Sequence, residues 1–581
     1  MDEIQDIMQK DFKEKQIMTN KKSASWLLKT VGKHKGNIVL LLLLHTFVNG
    51  GAVCYALVMK KMVDCAVGKD KNGFFTGLLI FGMLMLILML TRMAIRQIEE
   101  ATRSGTENSL KKRLFRTLLN KDFGQVSAVH SEEWMNRITS DSAVCANGMT
   151  EILPGFTGMF VRFSGALVMM FLLQPQLAYI LIPGGIVFVL ITLMLRKYLK
   201  AHHKKVQEKD GAVRVYLQER ISSMLILRTF GAEKEALCGA EKEFAEHKSA
   251  RMRKAFISNL CNTGFSFAIN GMYLLGIGYC GYGILNDTVS YGTLTAIIQL
   301  IGQLQAPLSG ISGFVPRYYA MIASAERLME AESYTDIQSD KVRSAEETKE
   351  LYNTKIKGLA FDKVSFCYKK ENNAEPVLDN VSFSVSKGDF IAVTGLSGCG
   401  KSTLLKLLMG VYAPLSGSVD VRLTNNEHIP INVMRRLFAY VPQGNYLMGG
   451  TIRDVITFGK NEVQSDSLEK AVKLACAEFI NKLPKKLDTV LGEKGSGLSE
   501  GQMQRISIAR ALYTDAPVLI LDEATSALDI DTEKQLLNNL KQLTDKTVFI
   551  VTHRPEALKI CNKQFELSDK KVSFNKKEVQ T

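Results

Sequence analysis

Through roughly the first half of the chain the apolar positions come in long runs, and in the second half they come in short bursts between turn residues. IVLLLLLHTF (Ile38–Phe47), FTGLLIFGMLMLILML (Phe75–Leu90) and ILIPGGIVFVLITLML (Ile180–Leu195) belong to stretches long enough to cross a bilayer. The pattern predicts six spans, at 38–59, 74–92, 153–173, 177–196, 257–285 and 292–315. Asn262, Asn270, Gln299, Gln303 and Gln305 interrupt the last two. Amides inside a span face protein or water rather than lipid, which fits a polar pathway or plain helix-to-helix hydrogen bonding equally.

After Arg327 the chain turns charged, in ESYTDIQSDKVRSAEETKE, and then takes on a strand pattern in IKGLAFDKVSFCY and VLDNVSFSVSKGDFIAVTG. The predicted organisation is a cytoplasmic N-terminal segment at 1–36, an all-α six-helix membrane domain at 37–325, a linker at 326–355 and a soluble α/β domain at 356–581. Within the first segment, SASWLLKTVGKHKG (Ser23–Gly36) sets Trp26, Leu27 and Val31 among lysines. That suits a short helix on the membrane surface or a solvated basic tail.

Lysine and arginine orient the spans. Lys21, Lys22, Lys29, Lys33 and Lys35 precede the first, and Arg196, Lys197, Lys200, Lys204 and Lys205 follow the fourth, so both regions belong in the cytoplasm. The opposite links, Gln174–Gln176 and Asn286–Gly292, are short and lack both residue types. Lys60, Lys61, Lys69 and Lys71 dissent, partly balanced by Asp64 and Asp70. The net charge of +15 is what a membrane protein gathers at its cytoplasmic face, so no nucleic-acid partner is expected. MDEIQDIMQKDFKEK has no apolar leader core, which leaves the first span to direct the chain to a cell membrane. Ten scattered cysteines with no CxxC pair predict neither a disulfide framework nor a structural metal.

The soluble half carries the chemistry. GLSGCGKST (Gly395–Thr403) follows the apolar strand FIAVT and precedes the apolar-periodic TLLKLLMG, the strand-to-helix context of a P-loop. Gly395, Gly398 and Gly400 let backbone N–H groups converge on phosphate, with Ser397, Cys399 and Thr403 completing the ATP-binding loop. Lys401 would reach the β- and γ-phosphates, and Ser402 would hold Mg²⁺. In VLILDEATSALD (Val518–Asp529) a buried-strand pattern ends in Asp522, where a carboxylate on the Mg²⁺ side belongs, and Glu523 follows as candidate general base. A third strand, KTVFIVTH, ends in His553. Three strand ends carrying Lys401, Asp522 and His553 would converge on one edge of a sheet.

These residues resemble the ATP-binding cassette (ABC) family, specifically exporters in which six spans and one nucleotide-binding domain share a chain. The resemblance covers nearly the whole sequence. It implies that Tyr368 stacks on adenine, that Gln443 senses Mg²⁺ and the attacking water, and that Leu498–Gln502, LSEGQ, is the signature motif. Ala527, Leu528 and Asp529 match the loop after the acids, and His553 the switch histidine. LDTVLGEKGSG, with Glu493 at its centre, resembles the exporter loop that touches the membrane domain. RITSDS (Arg137–Ser142) and the stretch from Glu219 to Glu233 resemble the intracellular loops, with coupling helices near Asp122–Val129 and Phe230–Leu237, and ASAERLME (Ala323–Glu330) resembles the end of the sixth helix. Two departures stand out: Glu500 replaces the usual signature glycine, and Val455 a common asparagine.

The family arrangement implies two cassettes stacked head to tail, so that Ser499, Gly501 and Gln502 serve the partner's ATP. This chain is then a half-transporter that dimerises, with itself in preference to a relative, in the cytoplasmic membrane. The function implied is ATP-driven export of a peptide, lipid or hydrophobic small molecule. An importer on the exporter fold, taking siderophore-like cargo, and an ATP-regulated membrane protein without transport are the alternatives. Candidate cargo contacts are Arg162, in mid-span, with His45, Gln299 and Gln303. Arg162 suits an anionic lipid or peptide carboxylate, or else a structural ion pair or an interfacial position.

Overall fold

The computed structural model describes residues 22–336, 343–368, 375–444, 447–459, 464–492 and 497–576. Two compact units divide the chain: residues 1–115 with 134–330, and residues 116–133 with 331–581.

In the first unit each expected span lies within one long helix: Lys35–Val67, Lys71–Asn120, Leu153–Leu173, Pro175–Ser222, Glu233–Leu285 and Tyr291–Ser333. Among the described residues, Gly32–Val67, Lys71–Asn120, Ser131–Leu173 and Glu233–Leu285 are long and apolar enough to cross a membrane. At 50 residues, Lys71–Asn120 extends about 75 Å against about 30 Å of hydrocarbon. Its polar second half therefore continues well past the bilayer.

Small residues set the helix contacts, because apolar side chains gain little from leaving lipid and close backbone approach supplies the attraction instead. A Cβ on Gly158 would lie 2.5 Å from Asn49 Nδ2, and one on Gly165 would lie 3.1 Å from Val53 Cγ2. The Leu153–Leu173 helix thus rests directly on Lys35–Val67. The dissenting lysines between the first two spans are mostly helical, since the first helix runs on to Val67. Lys60 pairs with Asp64 at 3.4 Å, and Asp64 also accepts from Gly292 N and Ser290 Oγ.

RITSDS and ASAERLME, far apart in sequence, meet here. A π-helical turn at Arg137–Asp141 turns Asp141 inward, where it is 2% exposed. Arg327 donates to both of its oxygens, at 2.6 and 2.8 Å, and Ser324 Oγ donates at 2.9 Å. Arg137 stacks over Trp134 and pairs with Glu330 at 3.0 Å.

Residues 22–30 are helical, but Leu27 and Val31 are buried by protein, with Arg113 lying over Trp26 and donating to Thr30 Oγ1. Packing against the polar half of Lys71–Asn120 covers part of this segment's apolar face.

In the second unit, Ile356–Phe366 (β1), Leu378–Ser386 (β2), Ser416–Leu423 (β4) and His428–Pro430 (β5) form an antiparallel sheet in the order β2-β1-β4-β5. Phe390–Gly395 (β3), Phe438–Val441 (β6), Val518–Asp522 (β9), Thr547–Val551 (β10), Lys563–Ser568 (β11) and Lys571–Lys576 (β12) form a second sheet, ordered β12-β11-β3-β10-β9-β6, and Gly450–Thr451 (β7) pairs separately with Val490–Leu491 (β8). Its central strands are parallel and buried on both faces. Ala392, Leu519, Leu521, Val548 and Ile550 enter one core; Ile391, Val393, Ile520, Phe549 and Val551 enter the other. A period of two along each strand separates the cores.

The expected linker at 326–355 is only partly one. It contains the end of Tyr291–Ser333 and a capped helix, Ala345–Thr354, whose buried Tyr352 bonds Thr547 Oγ1 at 2.8 Å. The charged run scored as linker because its acids cap and face solvent while one tyrosine anchors it. The short helix Phe123–Ser127, capped by Asp122, also belongs to this unit, and Phe123 packs on Tyr412 with ring centroids 6.0 Å apart.

Candidate functional site

Sheet order does what separate motifs along the chain cannot. β3, β10, β9 and β6 are consecutive parallel neighbours, so their C-terminal ends share one edge. Lys401 follows β3, His553 follows β10, Asp522 and Glu523 end β9, and Gln443 follows β6. Open parallel sheets bind ligands at such an edge.

At the P-loop, Gly400 caps the Lys401–Leu408 helix at φ 106°, a left-handed conformation that only glycine adopts freely. The turn aims the helix N-terminus and its unpaired N–H groups into the edge. Lys401 is 8% exposed, and its Nζ donates to the carbonyls of Gly395 (2.6 Å) and Leu396 (3.0 Å). Those neutral acceptors orient its charge without cancelling it. Ser397 and Gly398 are exposed in the loop and Cys399 is half-buried, while Thr403 Oγ1 bonds the hydroxyl of Tyr368 at 2.6 Å. Tyr368 also meets Phe366 and Tyr412 edge-on, leaving more than half its surface free.

Asp522 is 2% exposed and accepts from Ser402 Oγ at 3.2 Å and from Tyr440 OH at 3.1 Å. Burial raises its carboxyl above the usual range, opposed by those two hydroxyl donors. Glu523 stands at φ 51°, held by its N–H to Val551 O at 3.1 Å, and its Oε2 accepts from Gln443 Nε2 at 2.7 Å. His553 is exposed at the end of the neighbouring strand.

The signature lies apart from this cluster. Ser499 caps the Glu500–Tyr513 helix in a capping box with Gln502: its N–H donates to Gln502 Oε1 at 2.9 Å, and its Oγ accepts from Gln502 N at 3.3 Å. Among the described residues, no hydrogen bond joins Ser499 to Lys401, Ser402, Asp522 or Glu523. Gly501 is required by space, since a Cβ there would stand 2.7 Å from the carbonyl oxygen of Ala527. Asp529 caps the Ile530–Lys541 helix, and hydrogen bonds from Thr532 hold its carboxyl below the usual range. Glu493 lies outside the described residues.

Three supporting residues escaped sequence reasoning. Tyr440 bonds Asp522; Gln504 donates to Ser526 Oγ and accepts from Ala527 N; Arg554 bonds the carbonyls of Ser526 and Leu528 and pairs with buried Glu533 at 2.8 Å. Arg554 stands beside His553, and that adjacency was the one signal available.

The membrane candidates separate. Gln303 Nε2 donates to Ala52 O at 2.6 Å, and Gln299 Nε2 contacts Met59 Sδ at 3.2 Å. Both amides tie one helix to another. Arg162 lies on the Leu153–Leu173 helix and His45 on Lys35–Val67, where a Cβ on Gly158, one turn before Arg162, would stand 3.3 Å from His45 Cβ.

Residues 36–308 match the family described as ABC transporter transmembrane region, and residues 378–526 that described as ABC transporter. A probable multidrug resistance ABC transporter ATP-binding/permease protein of Bacillus subtilis is 30% identical, over 68% of this chain and 66% of its own length. An ATP-dependent lipid A-core flippase of Desulfotalea psychrophila is 30% identical over 73% of each chain. A solved bacterial Atm1-family ABC exporter with ATP bound shares the fold at a TM-score of 0.73, covering 92% of this chain and 94% of its own, at 21% identity.

Proposed function

Because this chain belongs to the ABC transporter family, with membrane region and cassette in one polypeptide, we propose that it is an ATP-driven exporter. It works as a pair of identical chains in the cytoplasmic membrane, with both cassettes in the cytoplasm. One observation carries this reading: the hydrolytic residues gather at one sheet edge, while the signature serine caps a separate helix. A second copy would bring its Ser499 and that helix N-terminus to the first copy's γ-phosphate.

Each residue then has a task. Tyr368 offers an aromatic face to the base, and Lys401 and the P-loop N–H groups hold the phosphates. Glu523 takes the proton of the attacking water, with Gln443 orienting its carboxylate and His553 reaching the phosphate from the neighbouring strand. Ser402 and Asp522, with Gln443, fit Mg²⁺: they offer hard oxygens, and burial leaves Asp522 in need of positive charge. When bound, Mg²⁺ neutralises the phosphate charge that builds up during transfer.

Paired binding closes the cassettes because γ-phosphates contact both copies, and hydrolysis removes those contacts. The relatives' names include a flippase and a multidrug transporter, which favours export and an apolar cargo. The test is Mg²⁺-dependent ATP hydrolysis by the purified chain in lipid nanodiscs, beside its Glu523→Gln variant, followed by cargo movement in sealed vesicles. Activity lost in the variant supports the site. Outward movement supports export, whereas inward movement would make the protein an importer.

A further inference from the structure

None of the six spans contains an aspartate or glutamate, yet they contain His45, Arg92, Arg162 and Arg196. Arg162 therefore has no intramembrane carboxylate to pair with, in its own chain or in an identical partner.

Its surroundings are closely defined. Gly158, Arg162 and Gly165 recur at the spacing that puts residues on one helix face. The two glycines lie against His45, Asn49 and Val53 of the first helix, so the face bearing Arg162 is the one packed there. Arg162 Nε and His45 Nε2 are both buried and have no hydrogen-bond partner among the described residues. Asn49 does not relieve them, since its Nδ2 donates to His45 O at 2.8 Å. The charge acting on Arg162 from nearby is Arg92, of the same sign. Gln303 Nε2 is committed to Ala52 O and Gln299 Nε2 to Met59 Sδ, and neither is hydrogen-bonded to Arg162 or His45 among the described residues.

Arg162 is half-buried with its Nε enclosed and unpartnered, and a cation at mid-span that meets no acid is costly unless something else supplies the negative charge. We propose that Arg162, with His45 facing it across the helix contact, holds the anionic headgroup of an amphiphilic cargo, phosphate or carboxylate, whose apolar body lies along the spans. The cargo half rests on the exporter reading; the headgroup site does not. Guanidinium presents a planar fork suited to either anion.

The probe is dodecyl phosphate, with dodecanol as its neutral counterpart, titrated by calorimetry against the full chain in phosphatidylcholine nanodiscs without nucleotide. The parent is expected to bind the phosphate about ten-fold or more tighter than the alcohol, the scale of a charge-assisted hydrogen bond. Arg162→Gln should erase that preference while leaving dodecanol binding intact, and Arg162→Lys should keep part of it. Unfolding temperatures of the variants check that the fold survives; if Arg162→Gln unfolds, His45→Ala is expected to weaken the same preference. A folded Arg162→Gln chain with undiminished preference, or a parent with none, overturns the site. Arg162-dependent binding without ATP-driven transfer of dodecyl phosphate in sealed vesicles overturns the cargo half alone, making the occupant a resident anionic lipid. ATP hydrolysis, measured separately, distinguishes either result from failure of the exporter reading.

Discussion

Glu523 combines a left-handed backbone, which costs a non-glycine residue about 1–3 kcal/mol, with a carboxylate aligned by Gln443. Strain held next to an oriented base supports its catalytic assignment. Glu523→Gln is expected to keep ATP binding and to lower kcat by about 10²–10⁴-fold, read by nucleotide binding beside phosphate release. Glu500, the departure from the usual signature glycine, is exposed in the first turn of the signature helix. There it favours its own helix by about 0.3–1 kcal/mol and opposes an approaching phosphate. Glu500→Gln should lower the KM for ATP a few-fold, and the difference should shrink as salt screens the charge; equal KM values at low salt would refute this. The P-loop and the acidic pair were legible because their chemistry is local. Tyr440, Gln504 and Arg554 were not, because each acts through a contact distant in sequence.

Two contacts between elements join segments that the sequence only suggested were related. Asp141 is buried beneath the half-exposed Arg327, so removing Arg327 leaves a buried carboxylate uncompensated, at a cost of about 3–5 kcal/mol. Arg327→Ala should lower the unfolding temperature in detergent, whereas exposed Lys204→Ala, also ion-paired, should leave it nearly unchanged. The second contact is aromatic: Phe123 packs on Tyr412, which stacks on Phe366 and meets Tyr368 edge-on. The helix Phe123–Ser127 thus stands one ring away from the residue assigned to adenine. Phe123→Ala is expected to preserve basal ATP hydrolysis while weakening its stimulation by cargo. Equal stimulation in both chains would remove this route. Sequence periodicity located both elements but carried no information about which would touch.

At the scale of the whole molecule the decisive quantity is which chain completes each site. Ile221, Leu225 and Phe230, near the expected second coupling helix, are 64%, 80% and 80% exposed, an apolar surface left open in the single chain. If each ATP lies between one chain's P-loop and the other's signature, Glu523→Gln and Ser499→Ala chains should each be nearly inactive alone. Mixed, they should regain activity, because each mixed pair holds one site with both residues intact. No recovery after reassembly would place the two residues in the same site of one chain. The sequence by itself determined the spans, the strands, the P-loop and the acidic pair, since hydrophobic length, a period of two and glycine spacing are local quantities. Only the tertiary structure decided that the N-terminal helix packs on protein, that part of the linker belongs to the cassette core, and that Gln299 and Gln303 bind helices. It also set the face bearing Arg162 against His45 and Asn49, with Arg162 Nε unpartnered among the described residues. Burial and partner choice depend on residues brought together from distant parts of the chain, and no local pattern contains them.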